Sequence, residues 1–131
     1  MGVTWLLDTH VLLWLLSDPG RLPETWRTRL ADPGSTLVVS AASALEVATK
    51  ERLGKLRVPG LVAGWDAHLR SAGMDPLSIT SRHATVAGTL DWEHRDPFDR
   101  LLVAQAQCEA HTLLTVDRTI LAYSDVATAT W

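Results

Sequence analysis

Four acidic residues stand where an α/β fold would gather them. Asp8 directly follows the apolar run Thr4-Trp5-Leu6-Leu7, and Asp117 directly follows Leu113-Leu114-Thr115-Val116. In a parallel sheet, ligands collect beyond the carboxyl ends of the strands. If the two runs are neighbouring strands, both carboxylates face one small region. Glu46 and Asp99 fall in the first turns of helices that follow loops, and those helix starts should emerge at the same edge. Such a cluster is costly without cations, because like charges at close range push each other's pKa upward. A hard divalent ion, Mg²⁺ or Mn²⁺, prefers carboxylate and water oxygens. It would acidify a water and shield a phosphate, which is the chemistry of phosphodiester hydrolysis.

Each acid also has an ordinary reading. Asp8 and Asp117 could be turn residues that stop strands. Glu46 could close a capping box with Ser43, and Asp99 sits where a helix dipole favours an acid. Asp96 reads as the N-cap of the helix carrying Asp99, with Pro97 at its first position. Thr9, Ser43, Thr115 and Asp96 are candidates for orienting the carboxylates or their waters. As ordinary caps or strand-end hydroxyls they would be equally at home.

The elements that must position these groups alternate along the chain. Val3–Leu7 reads as a buried strand and 11–16 as a buried helix, ended by Asp18-Pro19-Gly20. A short polar helix over 23–30 closes at the turn Asp32-Pro33-Gly34. A strand over 36–39 precedes a helix from Ser43 to Gly54. The segment 61–70 is amphipathic and helical, 76–79 is a short strand, and 80–90 is a helix. The helix from Pro97 runs to about Ala110, followed by a strand over 112–116 and an edge strand over 126–130. Strands alternating with helices predict a parallel sheet of four or five strands, covered on both faces.

With 131 residues, 47% of them hydrophobic and 21% charged, residues 1–131 are expected to form one globular domain. The apolar start is interrupted at Asp8, Thr9 and His10, far short of the roughly 20 residues a membrane helix needs. No membrane association is expected. Cys108 is the only cysteine, which excludes an internal disulfide and fits a reducing, cytoplasmic setting. With 12 basic against 15 acidic residues and a net charge of −3, nothing draws the chain as a whole to nucleic acid. A nucleic-acid partner needs a local basic patch or metal ions.

Four segments resemble the motifs of PIN-domain ribonucleases, and among these the VapC toxins of bacterial toxin–antitoxin pairs. They are Leu6-Leu7-Asp8-Thr9-His10-Val11-Leu12-Leu13-Trp14, then Ser40-Ala-Ala-Ser43-Ala-Leu45-Glu46-Val47, then His94-Arg95-Asp96-Pro97-Phe98-Asp99-Arg100-Leu101-Leu102-Val103-Ala104-Gln105-Ala106, and Leu114-Thr115-Val116-Asp117. The resemblance spans nearly the whole chain, and the third motif is long and specific. One departure is Leu45, where relatives often carry an aromatic residue. The resemblance implies a PIN-like three-layer α/β/α domain in which Asp8, Glu46, Asp99 and Asp117 are the catalytic acids that hold Mg²⁺ or Mn²⁺. Asp8 and Asp99 would be the principal ligands, with Glu46 and Asp117 on a second ion or a metal-held water. It also implies an endoribonuclease leaving 5′-phosphate and 3′-hydroxyl ends, a homodimer, and inhibition by a cognate VapB-type antitoxin.

The densest basic run contains Lys50, Arg52, Lys55 and Arg57. It is either a solvated helix end or a track for an RNA backbone, where phosphate neutralisation gives salt-dependent affinity. Arg95 and Arg100 border the acids and are candidates for phosphate contact or for pairing with them. Histidines show no zinc-ligand spacing, and packing or loop roles suit His10 and His94. Rival chemistries fit poorly. A haloacid-dehalogenase-like enzyme wants a second Asp where His10 stands, and a receiver domain wants a late Lys where the chain has none. The alternative in another class is a catalytically idle module of the same fold that only engages an antitoxin or scaffold.

Overall fold

Apolar runs that must be buried on both faces form parallel strands. In the computed structural model, which describes residues 2–131, five strands make one sheet: β1 (Val3–Leu7), β2 (Ser35–Ser40), β3 (Met74–Leu77), β4 (Thr112–Leu114) and β5 (Thr128–Ala129). Their order is β3-β2-β1-β4-β5, with every neighbouring pair parallel. Seven helices connect them: α1 (Thr9–Ser17), α2 (Glu24–Ala31), α3 (Ala41–Arg52), α4 (Trp65–Ser71), α5 (Ser81–Thr89), α6 (Pro97–Glu109) and α7 (Arg118–Leu121). This is the three-layer α/β/α arrangement expected from the alternation.

Period-two alternation splits the core. Trp5, Leu7, Val39 and Leu114 face Val11 and Leu12 of α1, Trp26 and Leu30 of α2, and Leu69 of α4. Leu6, Val38 and Leu113 face Leu102, Val103 and Ala106 of α6 and Ile120 of α7. The pairing Leu7↔Leu114 sets the ends of β1 and β4 level. That register brings Asp8 and Thr115 side by side.

Local differences from the expected elements have physical causes. The helix after β1 starts at Thr9, not Val11, because Asp8 caps it. The helix after β2 starts at Ala41, with the Ser40 hydroxyl accepting from Ala42 N at 2.9 Å. Ser43 is therefore one turn inside, and the Ser43–Glu46 capping box does not form. Residues 53–64 are turns and irregular chain, and the next helix begins at Trp65 instead of residue 61. Strand β3 starts at Met74, directly after Gly73, whose φ of 70° suits glycine. The four-residue helix α7 has no periodic signal and exists because Asp117 caps it.

The connection between α5 and α6 lacks regular structure and is held by one side chain. Arg100 donates from Nε to Ala87 O (2.8 Å), from Nη1 to Trp92 O (2.7 Å) and His94 O (3.0 Å), and from Nη2 to Leu90 O (2.8 Å). The rigid fork of a guanidinium suits this use, and a lysine could not reproduce it. Four of the five Arg100 donors are spent on backbone carbonyls, so its first role is to hold this loop and not to bind phosphate. Arg100→Met is expected to cost about 3 kcal/mol, read as a lower urea midpoint at an unchanged slope.

Candidate functional site

Asp8 ends β1 and caps α1. Its Oδ1 accepts from Thr9 N at 2.7 Å, and its Oδ2 accepts from Thr115 Oγ1 at 2.7 Å. The residue is only 4% exposed. Burial raises its pKa above the ordinary carboxylate value, opposed by the Thr115 and Thr9 hydrogen bonds. The Thr115 hydroxyl also accepts from Asp117 N at 3.0 Å. One buried hydroxyl thus fixes both strand-end acids. Asp117 caps α7, its Oδ1 accepting from Thr119 N (2.8 Å) and Ile120 N (3.3 Å).

Glu46 reaches the same edge from within α3, not from its first turn. Its Oε1 accepts from Thr9 Oγ1 at 2.8 Å, and Thr9 Oγ1 lies 2.9 Å from Ser43 Oγ. A hydroxyl has one proton. Thr9 spends its own on Glu46, so Ser43 donates to Thr9, and a directed chain runs Ser43→Thr9→Glu46. Lys50, one turn on, places Nζ 2.6 Å from Glu46 Oε2.

Asp99 stands in the first turn of α6. Asp96 caps that helix, its Oδ1 accepting from Phe98 N (2.9 Å) and Asp99 N (3.2 Å). The pKa of Asp99 is pushed up to about 6, first by burial and then by the charges of Asp96, Asp8 and Asp117, against a lowering hydrogen bond from His94. His94 Nε2 lies 2.7 Å from Asp99 Oδ2. These mutual effects tie the acids from β1, α6 and the β4 end into one electrostatic unit, and Glu46 adds its charge to that of Asp8.

Thr9 and Thr115 hold Glu46 and Asp8 directly, Ser43 acts on Glu46 through Thr9, and Asp96 caps the helix of Asp99. Sequence reasoning gave His94 no site role, and its only signal was position, five residues before Asp99. The donor set is hard carboxylate oxygen, which fits Mg²⁺ or Mn²⁺. Among the described residues, the group of three that brings its ligand atoms within 4.8 Å of one another is His94, Asp96 and Asp99; Asp8, Glu46 and Asp117 stand outside it. Of the basic candidates, Arg52, Lys55 and Arg95 are exposed, whereas Lys50 turns inward to Glu46. A groove of about 740 Å³ opens on His94, lined also by Asp91, Trp92, Glu93, Thr119 and Tyr123 and by none of the four acids. In it the Trp92 and Tyr123 rings stack 4.7 Å apart.

A sequence model of the PIN domain matches residues 5–126. The chain belongs to the PIN-domain family. It is 30% identical over 119 residues, 88% of each chain, to Ribonuclease VapC22 of Mycobacterium tuberculosis. Among solved structures, this PIN domain is similar to VapBC2 from Rickettsia felis bound to a promoter DNA fragment, with a TM-score of 0.72 and 16% identity over 98% of this chain and 99% of that one. DNA-bound VapBC from Salmonella typhimurium gives a TM-score of 0.70 at 16% identity, covering 98% of both chains. Among the described residues, no helix is long and apolar enough to cross a membrane.

The buried Thr115 hydroxyl is the first group to remove. Thr115→Val should lower the unfolding free energy by about 2 kcal/mol at pH 7, since it strips a donor from a buried carboxylate. The deficit should shrink as acid protonates Asp8, which urea titrations at neutral and acidic pH would show.

Proposed function

We propose that this PIN domain is a divalent-metal-dependent endoribonuclease, the toxin half of a toxin–antitoxin pair. The observation that supports the reading best is that Asp8 and Asp117 follow neighbouring parallel strands, with Asp8 and Asp99 raised by burial and by the charges of nearby acids. Carboxylates whose charge is disfavoured without a counter-ion are what a cation site requires. The ribonuclease named above, similar over most of both chains, supports RNA as substrate. The VapBC complexes of the same fold support an antitoxin partner.

Asp8 and Asp99 would be the principal ligands of Mg²⁺ or Mn²⁺, with Asp117 and Glu46 toward a second ion or a metal-held water. The ion, when bound, supplies Lewis acidity that lowers the pKa of an attacking water and offsets charge on the phosphate. Thr115 and Thr9 hold Asp8 and Glu46 in place through their hydroxyl hydrogen bonds. A water oxygen forms the new bond to phosphorus, and the 3′ oxygen of the preceding nucleotide leaves and takes up a proton. Arg52, Lys55 and Arg95, which are exposed, would meet flanking phosphates, and the groove past His94 would take adjoining nucleotides. Leu45, 57% exposed, and Leu53, 52% exposed, leave α3 with apolar side chains free for a homodimer or an antitoxin. The aromatic-to-leucine departure at position 45 therefore disturbs no core packing.

Purified protein incubated with total RNA should yield discrete fragments with Mg²⁺ or Mn²⁺ and none with EDTA. Asp99→Ala, folded by circular dichroism, should cut at least about a hundredfold more slowly. A folded, antitoxin-free wild type that leaves every RNA intact in either metal would favour the idle binding module.

A further inference from the structure

The basic run of α3 does not act as one surface. Arg52 and Lys55 are exposed, but Lys50 folds back one turn and sets Nζ 2.6 Å from Glu46 Oε2, its side chain 39% exposed against 8% for Glu46. A surface i,i+4 pair is a common and weak feature of helices. This one differs because its acid is buried and belongs to the carboxylate cluster. The ammonium also feels the charges of Asp96 and Asp99, which lie on another helix. A positive charge therefore already stands inside the cluster, on the Glu46 side.

The oxygens of the cluster divide accordingly. Glu46 accepts from Thr9 at Oε1 and from Lys50 at Oε2. Asp99 meets the His94 imidazole at Oδ2, 2.7 Å away, and its Oδ1 has no such partner among the described side chains. A divalent ion approaching Glu46 would meet the Lys50 ammonium at close range in a partly dry site, where like charges are poorly screened. Among the described residues, no lysine or arginine is paired with Asp8 or Asp99, whose basic neighbours are the imidazoles of His10 and His94.

We propose that Lys50 is a tethered second cation of the acidic centre, a positioning residue that holds Glu46 and limits the site to one divalent ion on the side of Asp8 and Asp99. This rests on the reading of the cluster as a metal site. Its consequence is a centre whose second positive charge is covalently attached and does not depend on the concentration of free metal.

The test is isothermal titration of the full chain with Mn²⁺, which reads stoichiometry without reference to activity. Wild type should bind one ion per chain, and Lys50→Arg should keep that number. Lys50→Met should bind two, and the Lys50→Met/Glu46→Gln double variant should return to one. Glu46→Gln alone should leave one ion bound, which keeps the proposal falsifiable if Lys50→Met fails to fold. Two ions in the wild type, one ion in a folded Lys50→Met, or none in Glu46→Gln would overturn it while leaving the metal site standing. No binding by the wild type would remove the metal site itself, and the proposal with it.

Discussion

One buried hydrogen bond joins parts of the chain 107 residues apart: Thr115 Oγ1 donates to Asp8 Oδ2 at 2.7 Å. It is possible because β1 and β4 pair in parallel with Leu7 opposite Leu114, so that the residues just beyond both strands meet. The same hydroxyl accepts from Asp117 N, and Asp117 in turn caps α7. Sheet register, helix start and acid placement are therefore one constraint. A slip of one residue would turn the apolar side chains of β4 to the wrong faces. It would also separate Asp8 from the donor that tolerates its charge.

Like-charge crowding is what the rest of the edge manages. Neutral donors answer part of it, through Thr9 and Thr115 and the helix N-termini that Asp8, Asp96 and Asp117 cap. Cationic or dipolar side chains answer another part: Lys50 on Glu46 and His94 on Asp99. Arg100 contributes at one remove. By gathering four carbonyls it fixes the loop from Leu90 to His94, and so the imidazole that meets Asp99. These devices lower the cost of assembling the acids without cancelling it, since Asp8 and Asp99 remain raised.

The layered fold and the acids at strand ends were legible because both depend on local pattern. Buried parallel strands are continuous apolar runs, and an acid that stops such a run marks the functional edge. The N-cap at Asp96 was legible for the same reason, with Pro97 beside it. What sequence could not give depends on choices between equivalent residues or on long-range contacts. Ser40 and Ser43 are both competent caps, and only the end of β2 decides between them. Arg100 and Arg95 flank the same motif, yet one is consumed by backbone carbonyls and the other is exposed. Lys50 and Lys55 belong to one basic run, but helical spacing brings only Lys50 onto Glu46. His94 carried no metal spacing, and its partnership with Asp99 follows from a loop whose path Arg100 sets.

On the proposed function, a divalent ion relieves the repulsion held in the carboxylate cluster, and the pH dependence of stability reports that relief. Asp99 is raised from 3.8 to about 6, so between those values the folded chain keeps a proton that the unfolded chain has lost. Its contribution to stability is present at low pH and is lost as pH rises through about 6. Unfolding free energies of wild type and Asp99→Asn would be measured in EDTA and in Mn²⁺ between pH 4 and pH 7.5. The account predicts that, in EDTA, wild type loses stability relative to Asp99→Asn as pH rises, and that Mn²⁺ restores wild type but not the variant. Parallel curves in EDTA, with no selective effect of Mn²⁺, would contradict it.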